Sequence, residues 1–189
     1  MNIFYVDTDP RKAAISLVDS HVVKMILESA QMLSTAHRLI DGKEVINYKP
    51  SKRNPSKMRK TTHWSLDSLS MENNLYKATH ANHPSSVWVR QSISHYYWLY
   101  NHFDELLKEY TFRFDDKHKT GELADYLQIA PNYIPVRTFR APPEAMDPTY
   151  IISLSTTENY RHYYRVGKAH LHKYTKRQPP DWLTGCKIN

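Results

Sequence analysis

Cysteine, glycine and long apolar runs are what this 189-residue chain has least of. Its one thiol, Cys186, cannot close an internal disulfide or build a cysteine-based zinc site, so the fold must rest on its own core and a reducing compartment is expected. Cys186 itself is read as inert. With 4 glycines and 12% aromatic residues the chain is neither collagen-like nor disordered. No stretch approaches the ~20 consecutive apolar residues of a membrane span. The opening Met1-Asn2-Ile3-Phe4-Tyr5-Val6-Asp7 lacks the basic and apolar regions of a secretory signal. The expectation is a soluble single domain over residues 1–189, in the cytoplasm (a host cytoplasm if the source is viral), without a membrane partner.

Fingerprints of cofactor and nucleophile chemistry are missing as well. There is no phosphate-binding or dinucleotide glycine motif, no G-x-S-x-G elbow and no HExxH. His95 and His102 are spaced i, i+7, yet without a carboxylate pattern they read as core or surface histidines, so no cofactor and no metal are expected.

Positive charge is what the chain has in excess: 26 Lys+Arg against 19 Asp+Glu, a formal net charge of +7. It is concentrated. Lys43, Lys49, Lys52, Arg53, Lys57, Arg59 and Lys60 face only Glu44 within one stretch, and Arg161, Arg165, Lys168, Lys173, Lys176 and Arg177 face no acid within another. Two such stretches point to a polyanion, and in a reducing compartment the usual polyanion is nucleic acid; a solvated basic face is the alternative. Lys52, Arg53 and Lys57 in the first stretch, with Arg161, Arg165 and Lys168 in the second, are the candidate phosphate contacts. Tyr163 and Tyr164 interleave with the second set and suit stacking on bases or sugars. Tyr160 and Tyr164 also fall on an apolar side, where they would close the core.

Amphipathic runs predict an all-α fold, a single compact domain of several helices with long loops. After an extended Ile3–Val6, Asp9-Pro10 starts a short helix to about Leu17. Asp19 then caps a helix over about 20–40 with the stripe Val22, Ile26, Ala30, Leu33, Ala36 and Ile40, stopped by Asp41-Gly42. Pro50 and Pro55 make residues 43–60 a loop. Further helices are predicted over about 62–79, 84–110, 121–129 and 150–172, with the proline-rich 131–148 as an extended connection.

On the 20–40 helix, His21 and Glu28 lie two turns apart on nearly one face, with Lys24 and Gln31 beside them. That face offers a base, a cation and a carboxylate, with Lys24 and Gln31 placed to touch DNA. The same spacing also describes an ordinary Lys24–Glu28 pair worth a few tenths of a kcal/mol.

Leu17-Val18-Asp19-Ser20-His21 leading into a helix that carries Glu28 resembles the opening of the phage pyrimidine-dimer DNA glycosylase (endonuclease V) family. Gly42-Lys43, Pro143-Glu144, Tyr150-Ile151, Tyr160-x-x-Tyr163-Tyr164 and Gly167-Lys168-Ala169 follow in the same order. The resemblance implies an endonuclease V-like helical domain that extrudes a nucleotide from duplex DNA. It implies that an N-terminal amine attacks the sugar C1′, releasing a damaged pyrimidine, with abasic-site lyase activity as a further expectation. An α-amine titrates near about 7.7–8.0, so a useful fraction is neutral and nucleophilic at physiological pH. By position, Glu28 would stabilise the cationic sugar, His21 would position that carboxylate or the substrate, and Met1 or Asn2 would supply the amine. Asn2 stands where the family has a threonine, Leu27 and Gln31 where it has arginines, and Thr175 to Trp182 extend beyond its short members. Two other readings remain open: an enzyme acting on a modified base in viral DNA, and a non-catalytic nucleic-acid-binding protein.

Overall fold

The computed structural model describes residues 1–185; Cys186 lies outside them. The chain enters as an extended segment, and Ile3, Phe4, Tyr5 and Val6 are all buried, so the first residues are threaded through the core. Burying each such side chain contributes about 1.5–3 kcal/mol, which fixes the start of the chain against the body.

Helix α1 (Pro10–Ile15) starts as the sequence predicts, with the Asp9 carboxylate accepting the Arg11 and Lys12 N–H groups and proline at the first position. Helix α2 (Asp19–Asp41) buries Val22, Ile26, Ala30, Leu33 and Ala36 completely. Its cap differs from expectation. Val18 occupies the cap position, and Asp19 instead accepts from Thr175 and from Arg113. Gly42 ends α2 by close approach, since a Cβ there would sit 2.3 Å from the Arg38 carbonyl oxygen.

The expected loop of residues 43–60 is a β-ribbon, the main departure from an all-α reading. Strands β1 (Lys43–Pro50) and β2 (Met58–Ser65) pair antiparallel from Lys43↔Ser65 to Pro50↔Met58, and the chain is about 52% helical beside this small sheet. The ribbon takes the front of the predicted 62–79 helix, leaving only α3 (Leu69–Asn74), which Ser68 caps. The buried Arg38 guanidinium ties ribbon and α3 to α2. It donates to the carbonyls of Trp64, Glu72, Tyr76 and Leu75 and to the Glu72 carboxylate at 2.6 Å.

The predicted 84–110 helix is two helices, α4 (Pro84–Gln91) and α5 (Ile93–Phe114). Ser92 breaks it in extended conformation: its hydroxyl caps the Ser94 N–H and also meets the Arg137 carbonyl at 2.7 Å. The expected 121–129 helix is a 3-10 turn (Lys119–Leu123) running into α6 (Ala124–Leu127). Residues 131–148 form the extended connection foreseen, a strap across α4 and α5.

The expected 150–172 helix is shorter. Helix α7 (Thr156–Gly167) starts where the Ser155 hydroxyl accepts the Glu158 N–H. The buried Asn159 amide meanwhile accepts from Ile152 and Ser153 N–H and donates to the Ser153 carbonyl, holding the preceding residues out of the helix. A last turn, α8 (Asp181–Thr184), brings Trp182 against Tyr164 at 6.0 Å between ring centres.

Candidate active site

Glu28 projects from α2 with its side chain 13% exposed, and three nitrogens gather on its carboxylate. The Asn2 backbone N–H donates to Oε2 at 3.1 Å, the Met1 amine is 4.0 Å from the same oxygen, and Lys24 Nζ is 3.4 Å from Oε1. The first contact joins residues 26 positions apart, so it is made by the fold and not by helical spacing. The Lys24 contact is the local pair that i, i+4 spacing produces.

Asn2 is gripped through its side chain. Its Nδ2 donates to the Ala145 carbonyl at 3.0 Å, and its Oδ1 accepts the Ile3 N–H at 2.7 Å. The Tyr160 hydroxyl on α7 lies 2.8 Å from Asn2 Oδ1 and 2.8 Å from the Pro143 carbonyl, and accepts the Ala145 N–H at 3.3 Å. One hydroxyl proton serves one of those two oxygens at a time. Burial pushes the Tyr160 hydroxyl above its ordinary pKa, so it keeps the proton it donates.

His21 takes a different place from the one the resemblance implies. Its ring is buried, stacked on Phe4 at 4.2 Å, and its Nδ1 is 2.5 Å from the Tyr164 hydroxyl. Burial, helped by the charges of Lys168, Lys24 and His170, lowers its pKa to about 4, so the ring is neutral at physiological pH. The Tyr164 hydroxyl accepts the Val18 N–H at 3.4 Å and is held protonated by burial. It therefore donates to Nδ1, which leaves the His21 proton on Nε2. Among the described residues no hydrogen bond joins His21 to Glu28.

His83, the residue just before the predicted 84–110 helix, also belongs to this corner. Its Nδ1 caps α4 by accepting the Ser85 N–H. Burial, the N-terminal amine and His80 lower its pKa, and Glu28 opposes them. The signal was present as His83-Pro84, but nothing in the sequence tied it to Glu28.

The DNA-contact candidates divide. Tyr164 is fully buried and presents no surface to a polyanion, which corrects its reading as a stacking residue. Arg161 spends its guanidinium inside the molecule, on the Val6 carbonyl at 2.9 Å, Glu158 at 3.0 Å and Asp7 at 3.5 Å. Arg165 donates to the Trp182 carbonyl at 3.0 Å. Lys176 and Arg177 pair with Asp115 and Glu109. Three cations of the second basic stretch, Arg161, Lys176 and Arg177, are thus paired with acids, whereas Arg165, Lys168 and Lys173 are in no ion pair among the described residues. Tyr163 stays half-exposed, 4.7 Å from the Tyr150 ring, with Lys168 Nζ 4.9 Å from its ring centre. Gln31 is half-exposed beyond Glu28, without a hydrogen bond among the described residues. Lys52, Arg53 and Lys57 are exposed between β1 and β2, with no acid paired to them among the described residues. Sequence reasoning passed over Arg137 and Arg140, exposed on the strap, which line a polar pocket of about 420 Å³ with Gln91, Thr138 and His95.

This arrangement can hold a primary amine against a carboxylate beside a half-exposed tyrosine–lysine pair. A family model described as pyrimidine dimer DNA glycosylase matches residues 1–121, which takes in the first segment, α2, the ribbon, α4 and α5 but neither the strap nor α7. The later motifs from Pro143 to Ala169 therefore lie beyond the matched region. No curated protein matches the chain. No solved structure matches it.

Proposed function

The chain belongs to the pyrimidine dimer DNA glycosylase family, and on that premise we propose that it excises damaged pyrimidines from duplex DNA through an α-amine held against Glu28, with abasic-site lyase activity following. The neutral amine attacks C1′ of the damaged nucleotide. The C1′–N bond to the base breaks, and its electron pair leaves on the pyrimidine while the new C–N bond forms. Glu28 stabilises the positive charge that develops on the sugar and takes a proton from the attacking nitrogen. The sugar ring then opens: the C1′–O4′ bond breaks, O4′ takes the proton that Glu28 accepted, and the nitrogen lone pair forms an iminium at C1′. This acidifies the neighbouring C2′ proton, and loss of that proton expels the 3′ phosphate, which is the lyase step.

The contact between the Asn2 nitrogen and Glu28 Oε2 at 3.1 Å carries this reading. Of the two nitrogens the Asn2 atom is the nearer to Glu28, since Met1 N stands 4.0 Å away, and the Asn2 side chain is held by Ala145, Ile3 and Tyr160. Its use as a primary amine requires removal of Met1, for which asparagine is a poor second residue.

Borohydride trapping on a duplex containing a cyclobutane dimer tests the proposal. A covalent adduct is expected, and the peptide mass of the adduct identifies Asn2 or Met1 as the attached residue. Absence of any adduct, or one attached through a lysine, would overturn the amine assignment.

A further inference from the structure

The β1–β2 ribbon is the feature that neither the helical expectation nor the chemistry at Glu28 accounts for. Its strands are eight residues each, about 27 Å long at ~3.4 Å per residue; β1 is exposed along nearly its whole length, β2 over half of its own, and no side chain on either is buried. Lys49, Lys52, Arg53, Lys57, Arg59 and Lys60 crowd its far half, and among the described residues none is in an ion pair. At its base, by contrast, Lys43 pairs with Asp67 at 2.8 Å. Lys49 stands directly opposite Arg59. Like charges facing each other across a strand pair destabilise it, so the isolated ribbon carries a repulsion that a polyanion would relieve.

Alternation gives the ribbon two unlike faces. Asn47, Lys49, Arg59 and Thr61 share one, where the two cations stand opposite each other; Ile46, Tyr48 and Met58 share the other, which is more apolar, with Lys60 opposite Tyr48 as its one cation. A major groove about 12 Å wide admits a two-stranded ribbon, whereas an undistorted minor groove is only about 6 Å wide and would have to be opened to take one.

We infer that the ribbon lies in the major groove of duplex DNA beside the lesion, cationic face inward, with the Lys52–Lys57 turn on the phosphate backbone. The inference rests on the DNA substrate of the proposed function and adds a second contact region, joined to the catalytic helix through Arg38.

The test uses the full chain carrying Glu28→Gln and a duplex of about 30 base pairs with one cyclobutane dimer at its centre and guanines on both sides of it, titrated between about 50 and 200 mM salt. Replacing Lys49, Lys52, Arg53 and Arg59 by glutamine should flatten the log K against log salt slope by about 3 to 4. The parent should protect guanine N7, a major-groove atom, from methylation, and the quadruple variant should lose that protection. Ile46→Ser/Tyr48→Ser, on the opposite face, should retain both slope and protection. These substitutions lie outside the core, and an unchanged thermal midpoint verifies folding. An unchanged slope in the quadruple variant, or a parent that leaves N7 open and protects adenine N3 in the minor groove, overturns the inference. Base release from dimer-containing DNA by the wild-type chain is read separately. Its absence with the N7 footprint intact overturns only the excision reading, and its presence without the footprint overturns only the ribbon.

Discussion

Tyr160 places its hydroxyl 2.8 Å from Asn2 Oδ1, tying α7 to a residue 158 positions earlier, and the nitrogen of that same residue meets Glu28. In the proposed mechanism the tyrosine touches no reacting atom and acts as a positioning residue for the Asn2 nitrogen. Tyr160→Phe removes one of three hydrogen bonds on the Asn2 side chain and keeps the ring, which is fully buried. Loss of a positioned geometry raises the barrier of the chemical step without weakening DNA association. Single-turnover base release should fall about 10-fold, equivalent to about 1.4 kcal/mol, with Kd for dimer-containing duplex unchanged. A matched fall in affinity, or no fall in rate, would show that Asn2 needs no such clamp.

Glu28→Gln preserves the size of the side chain and removes its charge. If the carboxylate handles protons and stabilises the sugar cation, base release should drop by about 10²–10⁴-fold. DNA binding should change little, because Glu28 is an anion and contributes no phosphate contact. If Glu28 is only the partner of Lys24, the variant would excise at the wild-type rate.

The start of α1, the buried stripe of α2 and the extended strap were legible because each rests on local chemistry: a capping carboxylate before proline, an i, i+3/i+4 apolar pattern, and prolines that break helices. The ribbon was not, since Pro50 and Pro55 read as a loop signal while the β-forming Val45-Ile46-x-Tyr48 and Thr61-Thr62 went unweighed; Pro50 sits at the last pair, where a missing N–H costs nothing. Ser155-x-x-Glu158 is a readable helix start that was overlooked, and it accounts for the late beginning of α7. In the basic stretch around Arg161 the sequence hides a different fact: Asp7, Asp115 and Glu109, far along the chain, pair with Arg161, Lys176 and Arg177, half of its cations. The Asn2–Glu28 contact likewise could not be read from spacing; only the family resemblance suggested it.

Three buried histidines make the fold acid-sensitive. His21, His37 and His102 are lowered from 6.5 to about 4, burial being the main cause in each. Between those values the unfolded chain binds protons that the folded chain refuses. Stability is therefore fully present above about pH 6.5 and falls as the pH drops toward 4, by about 1.4 kcal/mol per pH unit for each histidine. His102→Asn keeps a donor for the Pro10 carbonyl, which His102 Nδ1 meets at 3.0 Å, and removes one titrating ring. Urea unfolding at steps from pH 7.5 to 4.5 should show its slope of stability against pH shallower than wild type by about 1.4 kcal/mol per unit. Identical slopes would mean that His102 does not titrate differently on folding.

Arg38 is the hinge between catalysis and the ribbon, and its replacement should separate the two. Every donor it has is used: four backbone carbonyls and the Glu72 carboxylate converge on a guanidinium with no exposed surface. Lys77 and Arg38, with the Leu66 N–H, hold the Glu72 pKa down to about 2 against the opposing effect of burial. Arg38→Met fills similar space but strands those carbonyls and leaves Glu72 with Lys77 and the Leu66 N–H alone. Removing one member of a buried pair costs about 3–5 kcal/mol, which urea unfolding would register directly. Arg38→Lys should lie between, because an ammonium keeps the charge without the planar fork. Helix α2 still carries Glu28, ten residues or nearly three turns from Arg38, and no hydrogen bond or ion pair among the described residues joins the two. At temperatures where Arg38→Met remains folded, base release should therefore stay near wild type while the ribbon's strand β2 becomes sensitive to limited proteolysis. A loss of stability below about 1 kcal/mol, or protease resistance equal to wild type, would show that the ribbon is anchored by other contacts.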